Sequence, residues 1–141
     1  MNVKDCLKER LLRKIPQDLE KVNSSLETSK SKLDKAKKLL NSSFFNESVL
    51  SSYTSMFHAA RALLYNDGFQ EKSHYAVYVY LNEKYAGKLS PVLINFFYNY
   101  QKERHTILYG FSDEVSKEDA ETAFFYADDF IIAIKVLLKK V

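Results

Sequence analysis

Residues 46–68 read NESVLSSYTSMFHAARALLYNDG, and this stretch decides the fold. Apolar residues recur in it at intervals of three and four positions, which is the spacing of one face of an α-helix. They are Val49, Tyr53, Met56, Phe57, Ala60, Leu63 and Leu64. A glycine just after the last apolar position is a common helix terminator, and Gly68 has that place. We therefore predict a helix that begins at Asn46, ends before Gly68 and buries its apolar face.

Two other segments carry helical apolar stripes. Residues 17–42 place leucine, valine and alanine among charged neighbours at helical spacing, although the stripe is interrupted. Near the end of the chain, Ser116-Lys-Glu-Asp119 has the composition of a capped helix start, and a strongly amphipathic pattern follows it. These segments predict the first and fifth helices.

Two shorter segments supply the third and fourth helices. Ser90-Pro91 has the order of a cap followed by a first-turn proline, which predicts a helix from there to about Tyr109. Ser73 is a suitable cap for a helix through Tyr85. Residues 75–80 also alternate residues of high strand propensity, so periodicity alone leaves helix and strand open there. The helical context favours a helix.

The composition agrees with a few long elements. The chain has 141 residues with only three Gly and two Pro, so it fits one domain with few turns. We predict an all-α protein, an up-and-down antiparallel bundle of about five helices. Residues 1–141 form a single domain in this prediction, and residues 1–15 form a short N-terminal arm before the first helix.

Several features bear on location. The one cysteine, Cys6, cannot form an internal disulfide, and no apolar run approaches the roughly 20 residues that a membrane span needs. The first 14 residues are charged and lack the apolar core of a signal peptide. We expect a cytoplasmic protein without a membrane partner.

The basic charge is concentrated early in the chain. Residues 1–40 contain eleven Lys or Arg and six Asp or Glu. Such a segment suits a polyanionic partner, but a lysine-rich first helix is also the usual composition of a solvated face. Charge alone leaves both interpretations open.

The strongest functional signal lies on the predicted fourth helix. Its inward stripe begins with apolar residues and then turns polar at Gln101, Arg104, His105 and Tyr109. Arginine supplies rigid donors suited to phosphate, histidine transfers protons near neutral pH, and tyrosine donates a hydrogen bond. We predict that Arg104, His105 and Tyr109 contact a phosphodiester or nucleotide as candidate catalytic residues. A polar dimer interface or a buried hydrogen-bonded network is the alternative.

A second set of basic residues precedes this helix. His58 and Arg61 lie one turn apart on the polar face of the helix over residues 46–68, and His74 follows the Ser73 cap. We predict that these three residues bind nucleic acid or nucleotide. The alternative is structural, in which His58 and Arg61 hold neighbouring elements and His74 belongs to a helix start.

Other chemistries lack their sequence patterns. The chain has no glycine-rich phosphate loop, no paired-cysteine zinc spacing and no His-Glu-x-x-His helix. We therefore expect no metal site and no cofactor.

Three segments together resemble a known family. They are Tyr53-Thr-Ser-Met-Phe-His-Ala-Ala-Arg-Ala-Leu-Leu64, Gly68-Phe-Gln-Glu-Lys-Ser-His74, and Arg104-His105 with Tyr109. The chain resembles the HEPN domain superfamily over nearly its whole length, in particular the UPF0332-like branch of small prokaryotic helical proteins. The resemblance implies an up-and-down bundle that forms a homodimer with paired polar sites across the interface. It also implies an RNase or toxin, often encoded beside a minimal nucleotidyltransferase that acts as the antitoxin.

The resemblance assigns roles on one helix. The family's catalytic motif is an arginine, a polar residue, a few further positions and then a histidine. Arg104 matches the arginine and His105 the polar neighbour, whereas Tyr109 stands where the histidine begins to be expected. A phenol with an ordinary pKa of about 10 is a poor general base at neutral pH. Two functions follow: a metal-independent endoribonuclease that binds RNA or nucleotide, or a non-catalytic adaptor that partners the nucleotidyltransferase.

Helix geometry adds a condition to the hypothesis that these residues are catalytic. Because a helix advances about 100° per residue, His105 and Tyr109 share one face while Arg104 lies to the side. A symmetric dimer that pairs the fourth helices would bring two copies of Arg104 and of His105 together. The acid and the base would then come from different subunits.

Overall fold

A computed structural model describes the backbone of residues 1–108 and 115–139 and the side chains of residues 1–104 and 115–139. Within these residues there are six α-helices and one two-stranded antiparallel β-ribbon. The elements are α1 (Val3–Lys8), β1 (Leu12–Lys14), α2 (Leu19–Asn41), α3 (Phe45–Asp67), β2 (Phe69–Glu71), α4 (His74–Lys84), α5 (Pro91–Leu108) and α6 (Lys117–Lys139). The predicted all-α bundle is confirmed, and its five long helices are α2 to α6.

Helix α3 is the centre of the bundle. It packs against α2, α5 and α6, and it is the helix that residues 46–68 predicted. Its end is also as predicted: Gly68 has a left-handed conformation with φ of 85°, and its N–H donates to the carbonyls of Leu64 and Tyr65. A glycine adopts that conformation without the steric cost that a Cβ imposes.

Small residues bring α2 and α3 close together. Ser29 of α2 is fully buried, and its hydroxyl donates to the carbonyl of Ser55 in α3 over 2.7 Å. In the opposite direction, the Ser48 hydroxyl donates to the carbonyl of Ala36 over 2.8 Å. Each bond requires the two helix backbones to approach, which only small side chains at the contact permit.

The segment before Pro16 is part of the core. We expected a short arm there, but Val3, Cys6 and Leu12 are buried. Strand β1 pairs with β2 so that Leu12 lies opposite Glu71. Three-residue strands are too short to give an alternating pattern, which is why the ribbon was not predicted.

Helix α4 settles the choice between helix and strand at residues 75–80. The Ser73 hydroxyl accepts from the backbone N–H of Ala76 over 3.0 Å, as a helix cap does. Consecutive pairs of residues are buried along α4, namely Ala76 with Val77 and Tyr80 with Leu81. Burial on several sides explains why the sequence showed no simple helical stripe.

No helix within the described ranges 1–108 and 115–139 combines the length and the apolar character that crossing a membrane requires.

The serine contacts give a first prediction. Replacing Ser29 by leucine inserts three carbons between α2 and α3, and overpacking of this kind costs about 1–3 kcal/mol in free energy of unfolding. Ser31 is exposed on the same helix, so Ser31→Leu should change stability by less than about 0.5 kcal/mol. Urea unfolding of both variants measures the difference; equal stabilities would contradict the close approach.

Gly68 gives a second prediction. A Cβ at Gly68 would lie 2.9 Å from the carbonyl oxygen of Ile15, and the backbone there has a positive φ. Gly68→Ala should therefore destabilise the protein by about 1–3 kcal/mol. At Gly87 an added Cβ would meet nothing within 4 Å, so Gly87→Ala is the matched control with a change below about 0.5 kcal/mol. Thermal unfolding that lowers Tm equally in both variants would contradict this assignment.

Candidate functional site

His74 lies on an aromatic surface formed by α3. It is the first residue of α4, directly after the Ser73 cap. Its ring stacks on Phe57 with centroids 4.0 Å apart and planes 11° from parallel. Its Nδ1 lies 2.7 Å from the hydroxyl of Tyr53, which is itself buried and stacked on Phe97 of α5. Two α3 aromatics one turn apart therefore fix both the plane and one nitrogen of the imidazole.

The surroundings of His74 keep its ring neutral. Burial of the ring and the charge of Arg104 lower the pKa of His74 to about 4. The positive charge of Arg61 and the neighbouring imidazole of His58 act in the same direction. Burial raises the pKa of Tyr53, so its phenol keeps its proton at neutral pH. When that phenol donates to Nδ1, the imidazole proton resides on Nε2, and Nε2 becomes a hydrogen-bond donor.

Arg61 is held by partners within the chain. Its Nε lies 2.6 Å from a carboxylate oxygen of Glu71, and its Nη2 donates to the hydroxyl of Tyr65. The guanidinium also lies over the Phe57 ring, 5.7 Å from its centroid. The Glu71 side chain is only 8% exposed, so this ion pair is well shielded from water. Arg61 therefore links α3 to β2 while it contributes positive charge to the surroundings of His74.

His58 faces the groove between α2 and α3. Burial lowers its pKa, and the charges of Arg61 and Lys32 lower it further. Its ring meets Phe57 edge-on, with centroids 5.8 Å apart. It lines a shallow pocket of about 220 Å³ together with Lys21, Ser24, Ser25, Thr28, Arg61 and Tyr65. The pocket offers cations and hydroxyls, which are groups that bind an anion.

Arg104 approaches the same cluster from α5. Its side chain is partly buried, and its charge acts on both His74 and Tyr53. The structure thus brings together His58, Arg61, His74 and Arg104, which the sequence placed in two separate groups. His105 belongs to α5, but its side chain lies outside the described residues, as does all of Tyr109.

Comparison with known proteins shows the family of this chain. A family model described as the HEPN domain matches residues 22–137. The chain belongs to the HEPN domain family. One similar protein is "Putative toxin MJ0605" of Methanocaldococcus jannaschii, which is 27% identical over 128 residues that cover 86% of this chain and 92% of that protein.

The HEPN match covers the whole candidate site. His58, Arg61, His74 and Arg104 lie within the matched residues, and so do His105 and Tyr109. Helix α1 and strand β1 precede the matched range. The ribbon strand that pairs with β2 is therefore an addition at the edge of the HEPN domain as the family model defines it.

Sequence reasoning missed the residues that position this site. Tyr53 and Phe57 belong to the apolar stripe of α3 and looked like ordinary core residues, although they hold His74. Glu71, the partner of Arg61, is the only Asp or Glu between Asp67 and Glu83. The lack of other acidic residues in this stretch was the available sign that Glu71 has a specific role. Periodicity gave no indication of which cation Glu71 pairs with.

The neutral state of His74 gives a pH prediction. Its ordinary pKa of 6.5 applies in the unfolded chain, whereas the folded value is about 4. Between these values the unfolded chain binds a proton that the folded chain does not, so the free energy of unfolding decreases as the pH falls from about 6.5 to about 4. His74→Gln should weaken this dependence, measured by urea unfolding across that window.

His58→Gln is the comparison variant: the pKa of His58 is also lowered, so this substitution should weaken the dependence as well. Carboxylates titrate equally in all three proteins, so differences between the curves isolate each histidine. A His74→Gln protein with an unchanged pH dependence would show that the native state does not hold His74 neutral.

Proposed function

We propose that this HEPN domain protein binds RNA at the cluster of His58, Arg61, His74 and Arg104 and acts as a toxin through metal-independent cleavage of RNA. The observation that carries the proposal is the convergence of Arg104, Arg61 and His58 on one neutral imidazole. The similar protein from Methanocaldococcus jannaschii bears the name "Putative toxin MJ0605", which supports the proposed role as a toxin. Cellular RNA would place this action in the cytoplasm.

The charges of the site suit a phosphodiester. Arg104 carries a fixed positive charge at a partly buried position, where attraction to an anion is stronger than in open water. The neutral His74 adds a hydrogen-bond donor at Nε2 without a counterion of its own. An RNA phosphate that approaches Arg104 would therefore meet a cation and a fixed donor together.

The proposed reaction needs a base, an acid and a cation. The 2′-hydroxyl oxygen attacks the adjacent phosphorus while a base takes its proton, and the bond to the 5′ oxygen breaks as an acid protonates that oxygen. The products are a 2′,3′-cyclic phosphate and a 5′-hydroxyl. Arg104 would stabilise the charge of the phosphorane.

His105 is the better candidate for proton transfer than His74. A base with a pKa of about 4 takes up a proton weakly at neutral pH, so His74 suits binding and positioning. A homodimer that pairs two α5 helices would supply one His105 as base and the other as acid. Tyr109 would then donate a hydrogen bond to the reacting phosphate.

A second function has its own support. Tyr109 stands where the family motif leads one to expect a histidine, and Arg61 is already paired with Glu71. A HEPN domain with these features suits a non-catalytic adaptor that binds a minimal nucleotidyltransferase as its antitoxin. Such an adaptor would keep the fold and the dimer but have no need of RNA.

The proposal predicts separable effects of two substitutions. Arg104→Ala should raise the Kd for a labelled single-stranded RNA about tenfold, since a charge-assisted hydrogen bond is lost. His105→Ala should retain binding but lose cleavage in the presence of EDTA. Lys135→Ala removes one positive charge from an exposed position on α6 and is the matched control with unchanged binding.

The possible results separate the two functions. Undiminished cleavage by both Arg104→Ala and His105→Ala would exclude the proposed site. Wild-type protein that binds RNA without cleaving it would limit the site to binding. Failure to bind any RNA, together with co-purification of a nucleotidyltransferase, would establish the adaptor instead.

A further inference from the structure

Three tyrosines form a cluster between α4 and α5. Tyr78 and Tyr98 stack with centroids 4.2 Å apart and planes 23° from parallel. Tyr75 completes the group, with centroids 6.0 Å from Tyr78 and 6.5 Å from Tyr98. We call Tyr75, Tyr78 and Tyr98 the tyrosine platform. None of the three is fully buried, and Tyr75 is 39% exposed.

Aromatic side chains are enriched on the surfaces through which proteins bind partners. Elsewhere in α4 the aromatic Tyr80 is buried and bonded to Asp67, as a core tyrosine should be. Tyr75 instead presents its ring to solvent at the first turn of the same helix. Part of the Tyr75 side chain is therefore accessible to a ligand.

Lys102 adds positive charge to the tyrosine platform. Its Nζ lies 4.6 Å from the centroid of the Tyr98 ring. Lys72 is exposed just before α4 begins, and Glu71, Glu83 and Glu103 flank the segments that carry the tyrosines. An aromatic surface that carries a lysine complements a flat base attached to a phosphate.

The tyrosine platform adjoins the candidate site at the start of α4. Tyr75 follows His74 directly, and the charge of Arg104 acts on His74. A nucleotide on the tyrosine platform would therefore have its neighbouring phosphate beside His74 and within range of the charge of Arg104.

We infer that the tyrosine platform is a base-stacking subsite that holds an unpaired nucleotide next to the Arg104 phosphate site, an inference that rests on the proposed RNA binding. Base stacking on an aromatic ring requires an exposed base face, which a continuous duplex does not offer. The subsite therefore selects single-stranded RNA over duplex RNA. Because every base has a flat face, the subsite tolerates different sequences.

The experiment uses the full chain and two substitutions at Tyr75. Tyr75→Leu removes the aromatic ring and should raise the Kd for a labelled single-stranded oligouridine about tenfold. This effect is within the range measured when one stacking aromatic side chain is removed. Tyr75→Phe keeps the ring and should retain wild-type affinity. Binding to a duplex RNA of the same length should be weaker for the wild type and equal in both variants.

A fluorescent base gives a readout that a structural role would not change. A single 2-aminopurine placed among uridines should lose fluorescence when wild type or Tyr75→Phe binds, because stacking on an aromatic ring quenches it. Tyr75→Leu should bind with less quenching at saturating protein. Circular dichroism and Tm confirm that the variants are folded, which the exposure of Tyr75 favours.

The outcomes distinguish this inference from the proposed function. If Tyr75→Leu binds oligouridine like the wild type while Arg104→Ala binds weakly, the subsite is overturned and RNA binding stands. If the wild type binds no RNA, both the base-stacking subsite and the proposed RNA binding are excluded. If Tyr75→Leu leaves RNA binding unchanged and converts a dimer to monomers in light scattering, the tyrosine platform is an interface between copies of the chain.

Discussion

The close approach of α2 and α3 is the constraint on which the rest of the molecule depends. Serine hydroxyls bond directly to carbonyls of the opposite helix, so this contact has little room for larger side chains. With one side of α3 occupied in this way, its large side chains pack toward α5 and α6. Tyr53 and Phe57 lie on that part of the helix and provide the surface for His74.

Phe57 is a residue of the α3 apolar stripe that contacts three polar side chains of the site. His74 stacks on its face, His58 meets its edge, and the Arg61 guanidinium lies over it. An apolar ring at the centre of polar groups excludes water and lowers the local dielectric response. Burial keeps the imidazoles neutral, while Arg61 and Arg104 contribute positive charge to their surroundings.

Local signals were sufficient for the five long helices, whereas contacts between distant residues were not predictable. The end of α3 at Gly68 and the start of α4 at Ser73 depend on single residues whose conformational preferences are strong. The pairing of Arg61 with Glu71 and the stacking of His74 on Phe57 depend on how α3, β2 and α4 meet in space. Periodicity within one element contains no information on how two elements pack against each other. The sequence analysis therefore placed His58 and Arg61 in a different group from Arg104, which approaches them only in the folded bundle.

The β-ribbon has a consequence for the connection between α3 and α4. That connection spans only residues 68–73, and the two residues that flank β1 bond to it at both ends: Ile15 donates to the carbonyl of Gly68, and Lys72 donates to the carbonyl of Leu11. Glu71 and His74 lie within or directly after this braced segment. The N-terminal residues thus add backbone hydrogen bonds to the segment that carries Glu71. Residues that precede the matched HEPN range therefore hold part of the backbone of the site inside it.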